Sequence, residues 1–293
     1  MTESQFLAER FERNRDHLRA VAYRMLGSLA EADDAVQEAW LRLSRSDTGE
    51  INNLGGWLTT VVGRVCLDML RARNSRREDE LTEQVPSAPA RHHRPANPEQ
   101  EALLADSVGL ALMVVLDRLA PAERLAFVLH DMFDLSFDEI ASIIGRSPVA
   151  TRQLASRARR RVRGGSPAAP AVSEQKRVVD AFLAALKAGD FQALVSVLDP
   201  ELVVLADAAA ATPNLPTEVR GAEFWARRAI ASAQGARAAR AAIIDGEVGV
   251  VVAPRGRLFR ILRFTFAGGK ISQINVIGNK KELAAVDLAV LGE

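Results

Sequence analysis

The chain has 293 residues, which is enough for two or three domains. Its 48% apolar and 26% charged residues are ordinary for a globular protein and exclude a wholly disordered chain. The single cysteine, Cys66, excludes an intramolecular disulfide framework and favours a reducing compartment. The N-terminus lacks the pattern of a signal peptide, and the longest uncharged apolar run, 108–116, is too short to cross a bilayer. We therefore expect a cytoplasmic protein that does not contact membranes.

The near-neutral net charge of +1 conceals two arginine-rich segments. Residues 61–77 carry five arginines against one acid, and residues 140–163 carry seven arginines and no acid. Basic segments within otherwise acidic modules are typical of DNA contact. The alternative is two solvated helix faces, but each segment ends a helical module, which favours the DNA-binding interpretation.

Residues 1–80 are predicted to form a first, all-helical domain. Apolar residues recur near the helical period up to Gly27-Ser28, where a second helix is expected to begin. After a turn-rich segment, 47–56, a third helix is expected to start near Trp57 and to run into Arg73.

The second helix is predicted to present a surface that is both acidic and apolar. Asp34, Glu38 and Leu41 point outward on a helical wheel. The opposite face is expected in the core and contains Val36, Ala39, Trp40 and Leu43. A leucine flanked by acids suits a protein partner better than water, although single exposed leucines are common.

Residues 81–98 are predicted to be a proline-rich linker, which includes the pair His92-His93. The four histidines of the chain do not form a metal-ligand pattern, so no metal is expected. A helical domain is predicted over 99–163, and the segment GGSPAAP marks a second linker over 164–172.

The strongest local signal is a helix-turn-helix within residues 134–163. Ser136 and Glu139 form a capping-box pair at the start of its first helix. Gly145 can adopt the positive φ of a tight turn, and Ser147 caps the second helix, whose first residue is a proline. In this motif the second helix enters the major groove of DNA.

On a helical wheel this second helix has an apolar inward face and an outward face rich in arginine. Arg152 and Gln153, near its start, are best placed to reach guanine and adenine. Ser156 also points outward, and Arg157 lies at the boundary. The expected phosphate contacts are Arg159, Arg160 and Arg163. The wheel places Arg161 nearer the buried side.

Residues 173–293 have a sequence pattern typical of an α+β module. A helix is predicted at the start of the module and another near its middle. Five strand-like runs are predicted, one before the middle helix and four after it. Asp245-Gly246 and Gly268-Gly269 separate runs as hairpin turns, which predicts a mostly antiparallel sheet. The predicted fold is therefore multidomain, with two all-α modules followed by an α+β module.

Three segments, in this order and spacing, resemble the extracytoplasmic-function sigma factors, group 4 of the sigma-70 family. They are AYRMLGSLAEADDAVQEAWLRL, GWLTTVVGRVCLDMLRAR and the helix-turn-helix, and the resemblance covers residues 5–163. The resemblance implies an alternative sigma factor that binds RNA polymerase core and directs transcription from specific promoters. It implies no enzyme activity and no cofactor.

The resemblance also assigns the modules. Residues 1–80 would be region 2, which binds the polymerase clamp and the minus-ten element, and residues 99–163 would be region 4, which binds the minus-thirty-five element. The clamp contacts would be Asp34, Gln37 and Glu38, beside Leu41. The minus-ten contacts would be Trp57, Arg64, Arg71 and Arg73. Val65 stands where the family often has Asn, which affects the contacts to a flipped base.

The last module, 173–293, resembles the SnoaL-like domains, which form a cone-shaped α+β barrel. Sigma factors with this extension form a subgroup, and the resemblance implies that the domain modulates activity in cis, with the sign left open. The regulatory motifs of that subgroup are altered here, since DAAAA begins at Asp207 and the pair Asn279-Lys280 begins NKKEL. The WLPEP motif expected in the first linker is absent.

Two alternatives remain open at this point. A polymerase-independent helix-turn-helix regulator with a small-molecule ligand in the barrel leaves the acidic surface of the second helix and the arginines of 61–77 unexplained. A bifunctional cyclase or isomerase needs a carboxylate with a raised pKa, for which Asp199 or Asp207 is the candidate. No histidine follows His130, so catalysis is not expected.

Overall fold

The computed structural model of the chain describes residues 3–46, 51, 53–82, 109–163, 170–212, 216–231, 236 and 238–291. The described residues form two compact units. The first comprises those of 1–108 and 116–159, and the second comprises those of 109–115 and 160–293. Most of the two predicted linkers lies outside the described residues. Residues 109–115 and 160–163 belong to the unit that contains the C-terminal sheet, and the predicted domain boundaries stay a prediction.

The N-terminal part of the chain is helical, as the sequence predicts. Gly27 ends the first helix with a φ of +79°, and the Ser28 hydroxyl caps the second by accepting a hydrogen bond from the Glu31 amide at 3.4 Å. Up to residue 163 the described part of the chain contains the helices α1 (Glu3–Leu26), α2 (Leu29–Leu43), α3 (Leu54–Thr82), α4 (Leu110–Leu116), α5 (Pro121–Phe127), α6 (Phe137–Ile144) and α7 (Pro148–Arg163). A π-helical turn, Val128–Met132, continues α5.

The third helix begins three residues before the predicted position at Trp57. The side-chain oxygen of Asn53 accepts a hydrogen bond from the Gly56 amide at 3.0 Å, which is the geometry of a helix cap. The glycine-rich start of α3 therefore belongs to the helix and not to the preceding turn. The helix also continues past Arg73 to Thr82, since the intervening sequence contains no glycine or proline that would end it.

In the first unit α3 packs closely on the helices that follow the first predicted linker. A Cβ at Gly63 would lie 3.3 Å from Cδ1 of Leu129 and 3.6 Å from Cδ1 of Ile143. The backbones of α3, α5 and α6 can approach one another because no side chain stands at this position. Leu58 and Leu129 are fully buried, and each such side chain contributes about 2 kcal/mol.

The second unit contains a seven-stranded sheet of order β2-β1-β6-β5-β4-β3-β7. Only the β1–β6 pair is parallel among the pairs of the described strands, so the prediction of a mostly antiparallel α+β module is confirmed. The strands are β1 (Leu198–Ala206), β2 (Glu218–Arg220), β3 (Ala239–Ile244), β4 (Glu247–Val252), β5 (Arg260–Ala267), β6 (Lys270–Ile277) and β7 (Leu288–Ala289). The helices described after residue 163 are α8 (Pro170–Ala188), α9 (Phe191–Ser196), α10 (Ala222–Ala231) and α11 (Lys280–Ala285).

Both predicted hairpin turns are present, between β3 and β4 and between β5 and β6. Asp245 and Gly246 have φ angles of +52° and +87°, as a type I′ turn requires.

The helices cover one face of the sheet through an aromatic cluster. The centroid of the Phe182 ring lies 5.7 Å from that of Trp225 and 5.4 Å from that of Phe264.

The second unit also includes helix α4 and the last turn of α7. The amide of Val290, next to β7, donates a hydrogen bond to the carbonyl oxygen of Val162 at 2.8 Å. A Cβ at Gly256, between β4 and β5, would lie 3.8 Å from Cβ of Met113. Residues next to the strands therefore contact α4, which precedes the helix-turn-helix, and the last turn of the second helix of that motif.

Candidate nucleic-acid interface

The helix-turn-helix has the local geometry predicted from its sequence. The Ser136 amide donates to the Glu139 carboxylate at 2.9 Å, and the Glu139 amide donates to the Ser136 hydroxyl at 3.3 Å, which completes the capping box. Gly145 adopts a φ of +73° between α6 and α7. The Ser147 hydroxyl then caps α7 by accepting from the Ala150 amide at 3.2 Å.

Helix α7 separates a buried apolar side from an exposed polar side. Leu154, Ala158 and Val162 are buried together with the Thr151 side chain. The exposed residues are Val149, Arg152, Gln153, Ser156, Arg157, Arg160, Arg161 and Arg163, while Arg159 is half-buried. The predicted inward and outward faces are confirmed, with one correction. Arg161 is exposed, because its long side chain reaches solvent from the edge of the buried face.

Two arginines of α7 have acidic partners within the first unit. Arg159 Nε lies 2.5 Å from Oδ1 of Asp131, and Arg157 Nε lies 3.9 Å from Oε1 of Glu123. A DNA phosphate would have to compete with these carboxylates for the two guanidinium groups. Arg152 instead lies against an aromatic ring, with its guanidinium carbon 5.2 Å from the centroid of Phe137.

Three of the four predicted minus-ten residues share one face of α3. Trp57, Arg64 and Arg71 lie seven residues apart, which is close to two helical turns. Trp57 is half-buried and both arginines are exposed. Arg64 Nη2 donates to the Ser142 carbonyl of α6 at 3.1 Å, and Arg71 lies 3.9 Å from Asp68.

Arg73 lies elsewhere on α3 and is only 18% exposed. Its guanidinium lies 3.6 Å from Glu31 and 3.7 Å from Asp117, and it donates to the Leu26 carbonyl at 3.4 Å. These contacts join α1, α2, α3 and the segment before α5. Arg73 is therefore a packing residue in this structure, and its predicted contact with DNA stays a prediction.

An open polar cavity lies where α1 meets the start of α3. Its volume is about 340 Å³, and it is lined by Arg10, Arg13, Asn14, Asn53, Leu54 and Gly55. The two guanidinium groups can bind phosphate, and the two amides can form hydrogen bonds with a base edge. No local sequence pattern marks these residues as a site, because they meet only where α1 and α3 approach each other in the fold.

The predicted polymerase-binding residues form one stripe along α2. Asp34, Gln37 and Leu41 are exposed, and Leu41 is 38% accessible to solvent. Glu38 is half-buried, because its carboxylate pairs with Arg42 Nε at 3.0 Å, one helical turn away. The stripe places an apolar side chain among acids on an open surface.

In the second unit Asp207 connects the end of β1 to the start of α11. Its carboxylate accepts hydrogen bonds from the amides of Gly278 and Asn279, both at 2.8 Å, and from the Ala210 amide at 2.6 Å. Partial burial acts to raise the pKa of Asp207, but these backbone donors lower it overall. Asn279 caps α11 through the Lys281 amide at 2.9 Å, and Lys280 opens that helix. The regulatory roles of these residues stay predictions.

Comparison with known proteins places both helical modules in one family. Residues 10–76 match the Sigma-70 region 2 family, and residues 109–162 match the Sigma-70 region 4 family. The ECF RNA polymerase sigma factor SigJ of Mycobacterium tuberculosis is 38% identical over 289 residues, which cover 92% of this chain and 90% of that protein. The chain belongs to the extracytoplasmic-function sigma factors. It is therefore an alternative sigma factor that acts in transcription initiation.

The similarity of this sigma factor to its relatives extends through the C-terminal module. The probable ECF sigma factor SigI of Mycobacterium tuberculosis is 33% identical, with 94% of each chain covered. The crystal structure of SigJ matches at 32% identity over 94% of this chain and 98% of that one, with a TM-score of 0.45.

Within the described ranges no helix is long and apolar enough to cross a bilayer.

Proposed function

We propose that this sigma factor binds RNA polymerase core through the α2 stripe in the cytoplasm, contacts the minus-ten element with α3, and contacts the minus-thirty-five element with α7. The main support is the exposed face of α7, which carries Arg152, Gln153 and Ser156 immediately after a capped helix-turn-helix. This face can contact base edges near its start and phosphates near its end.

Region 2 separates from region 4 when both promoter elements are bound. Elements centred about 25 base pairs apart lie about 85 Å apart at about 3.4 Å per base pair. In the first unit, however, the Arg64 guanidinium lies 3.1 Å from the Ser142 carbonyl. The described packing of α3 on α6 therefore corresponds to a closed state, which opens when the two modules bind polymerase and promoter.

The cavity between α1 and α3 is our candidate site for a nucleotide flipped out of the minus-ten element. Its lining offers Arg10 and Arg13 for phosphate and Asn14 and Asn53 for a base edge. Trp57 lies one helical turn after Asn53 and is half-buried, so it can stack on a neighbouring base. The side chains that line this cavity are accessible to a nucleotide. Val65, which stands where the family often has Asn, is buried and is not.

The C-terminal module acts in cis on region 4. Support comes from the hydrogen bond between Val290 and Val162 and from the approach of Gly256 to Met113, which join the sheet to α7 and α4. An enzyme role for this module is disfavoured, since acid–base catalysis by Asp207 needs a raised pKa and its pKa is lowered. A ligand bound by this module stays a prediction.

Run-off transcription with purified polymerase core tests this function. DNA from upstream of the protein's own coding sequence is the first template, on the expectation that the sigma factor transcribes its own gene. Promoter-specific transcripts that require the full chain, and that disappear in Arg152→Ala/Gln153→Ala, support the proposal. Failure of the full chain to bind core and to yield any transcript overturns it.

Val290→Pro tests cis control, because proline has no amide hydrogen to donate to Val162. Val290→Ala retains the donor and is the matched control. A change in transcript yield in the proline variant alone, at equal core binding, supports control by the C-terminal module, and its direction gives the sign. Equal yields from both variants and the parent contradict it.

A further inference from the structure

The arginine that we expect to contact a base lies on a small aromatic cluster. The Arg152 guanidinium carbon is 5.2 Å from the centroid of Phe137, the first residue of α6. The Phe137 ring in turn packs on His130, with ring centroids 3.9 Å apart and planes inclined by 32°. The cluster joins both helices of the helix-turn-helix to the π-helical turn that precedes them.

His130 has a defined orientation within this cluster. Its Nδ1 lies 2.8 Å from the carbonyl oxygen of Leu135. A carbonyl oxygen only accepts hydrogen bonds, so Nδ1 carries a hydrogen and donates it. This bond orients the imidazole, and the imidazole in turn supports the ring of Phe137.

We propose that Phe137 is a positioning residue for promoter recognition, which holds the Arg152 guanidinium in place for a guanine of the minus-thirty-five element. A free arginine side chain on an exposed helix samples many rotamers, and a contact with an aromatic face restricts them before DNA binds. Two parallel hydrogen bonds to N7 and O6 of guanine require such an orientation. The inference rests on the proposed role of α7.

The test combines protein variants with a modified base. Holoenzyme assembled from core and the full chain is titrated with promoter duplexes in which each minus-thirty-five guanine is replaced in turn by 7-deazaguanine, which lacks the N7 acceptor. The parent should lose roughly tenfold in affinity at one position. Arg152→Ala should show no difference between the two bases there, which identifies the guanine that Arg152 contacts.

Phe137→Leu should weaken binding to the natural guanine about threefold to fivefold and leave binding to 7-deazaguanine DNA unchanged. Phe137→Tyr keeps the ring and should behave as the parent. If Phe137→Leu does not fold, as judged by its melting curve, Phe137→Met provides a second aliphatic replacement.

An equal loss on both DNAs in the aliphatic variants indicates a purely structural role for Phe137 and overturns the inference. A base difference that persists in Arg152→Ala, or that is absent in the parent, instead contradicts the role of Arg152 in the proposed function. The two failures are therefore distinguishable.

A separate observation concerns the start of α7. Val149 is the most exposed large apolar residue of the described chain, at 63%, and lies one turn before Arg152 and Gln153. The first residues of a recognition helix face base edges, where thymine presents a methyl group. We infer that Val149 contacts a thymine methyl and so adds a specificity position.

Replacement of each minus-thirty-five thymine by uracil removes only that methyl group. The parent holoenzyme should lose about threefold in affinity at one thymine, and Val149→Ala should not respond to the same replacement. Leu205→Ala removes an exposed apolar side chain outside the proposed DNA interface and is the control that should respond as the parent does. The inference is overturned if no uracil replacement lowers the affinity of the parent holoenzyme. It is also overturned if Val149→Ala loses as much affinity as the parent at the same position.

Discussion

The guanidinium of Arg124 closes the C-terminal end of α1 by donating two hydrogen bonds to the carbonyl oxygen of Arg24, at 3.1 and 2.9 Å, across 100 residues of sequence. A cation at this position is stabilised by the negative end of the helix dipole. Arg124 also lies 3.5 Å from Asp117, which Arg73 contacts from α3. One network of hydrogen bonds and ion pairs therefore joins region 2 to region 4 in this structure.

Replacement of Arg124 by methionine should destabilise the first unit. Arg124 is 2% exposed, and burial lowers its pKa to about 10, so the side chain remains charged at neutral pH. Its removal leaves the Arg24 carbonyl without these donors, and we expect a loss of about 3 kcal/mol in the free energy of unfolding. Arg71→Met, on an exposed side chain of α3, should change it by less than about 0.5 kcal/mol.

Urea titrations followed by circular dichroism measure both variants. If Arg124→Met is as stable as Arg71→Met, the network makes no net contribution to the stability of the first unit. A loss confined to Arg124→Met supports a stabilising role for the network.

The helix-turn-helix could be predicted from sequence because its determinants are local. The predicted turn at Gly145 and the predicted caps at Ser136, Glu139 and Ser147 depend on partners within one or two helical turns, and the structure confirms each of them. The exposed face of α7 also follows from helical periodicity, apart from Arg161, whose flexible side chain a wheel cannot place.

The contacts of Arg73 and Arg124 could not be predicted in the same way. Apart from Asp117, which lies seven residues before Arg124, their partners are more than 40 residues away in the sequence. Nothing in the local sequence distinguishes a packing arginine from one that contacts DNA. The predicted start of α3 is wrong for a related reason, because two glycines indicate a turn where the Asn53 cap begins a helix. The parallel β1–β6 pair likewise depends on long-range topology.

Cys66 should be inert in the folded protein. It is fully buried, and burial raises the pKa of its thiol, although the nearby Arg124 acts in the opposite direction. The reactive thiolate is therefore scarce between about pH 7 and pH 9, and we expect no reaction with Ellman's reagent until urea unfolds the chain.

A control places a thiol on the exposed surface of the same helix. Ser75→Cys in the Cys66→Ala background should react within seconds under native conditions. Rapid modification of native Cys66 would show that the core around α3 opens without denaturant.

Asp207→Asn should destabilise the second unit at neutral pH by about 1–2 kcal/mol, since an amide cannot accept all the hydrogen bonds that the carboxylate accepts. The pKa of Asp207 is below its usual 3.8 in the folded state, so the unfolded state binds more protons as the pH falls. The contribution is fully present above that usual value and is lost as the pH falls through the folded pKa.

Urea titrations over a pH series should therefore show a constant difference between parent and variant down to about pH 5, and a shrinking difference below about pH 4. Glu218→Gln removes an exposed charge in the same unit and should have little effect at any pH. A difference that does not depend on pH would mean that shape, and not charge, accounts for the role of Asp207.

Leu41→Glu should weaken binding to RNA polymerase core by roughly tenfold or more, because it places a charge in the apolar part of the α2 stripe. Leu205, on β1, has the same exposed fraction of 38% and serves as the matched control. Leu205→Glu adds the same charge outside the proposed interface and should leave core affinity unchanged. Fluorescence anisotropy with labelled full-length protein measures both. Equal losses would indicate a general effect of negative charge, and no loss in Leu41→Glu would remove α2 from the polymerase interface.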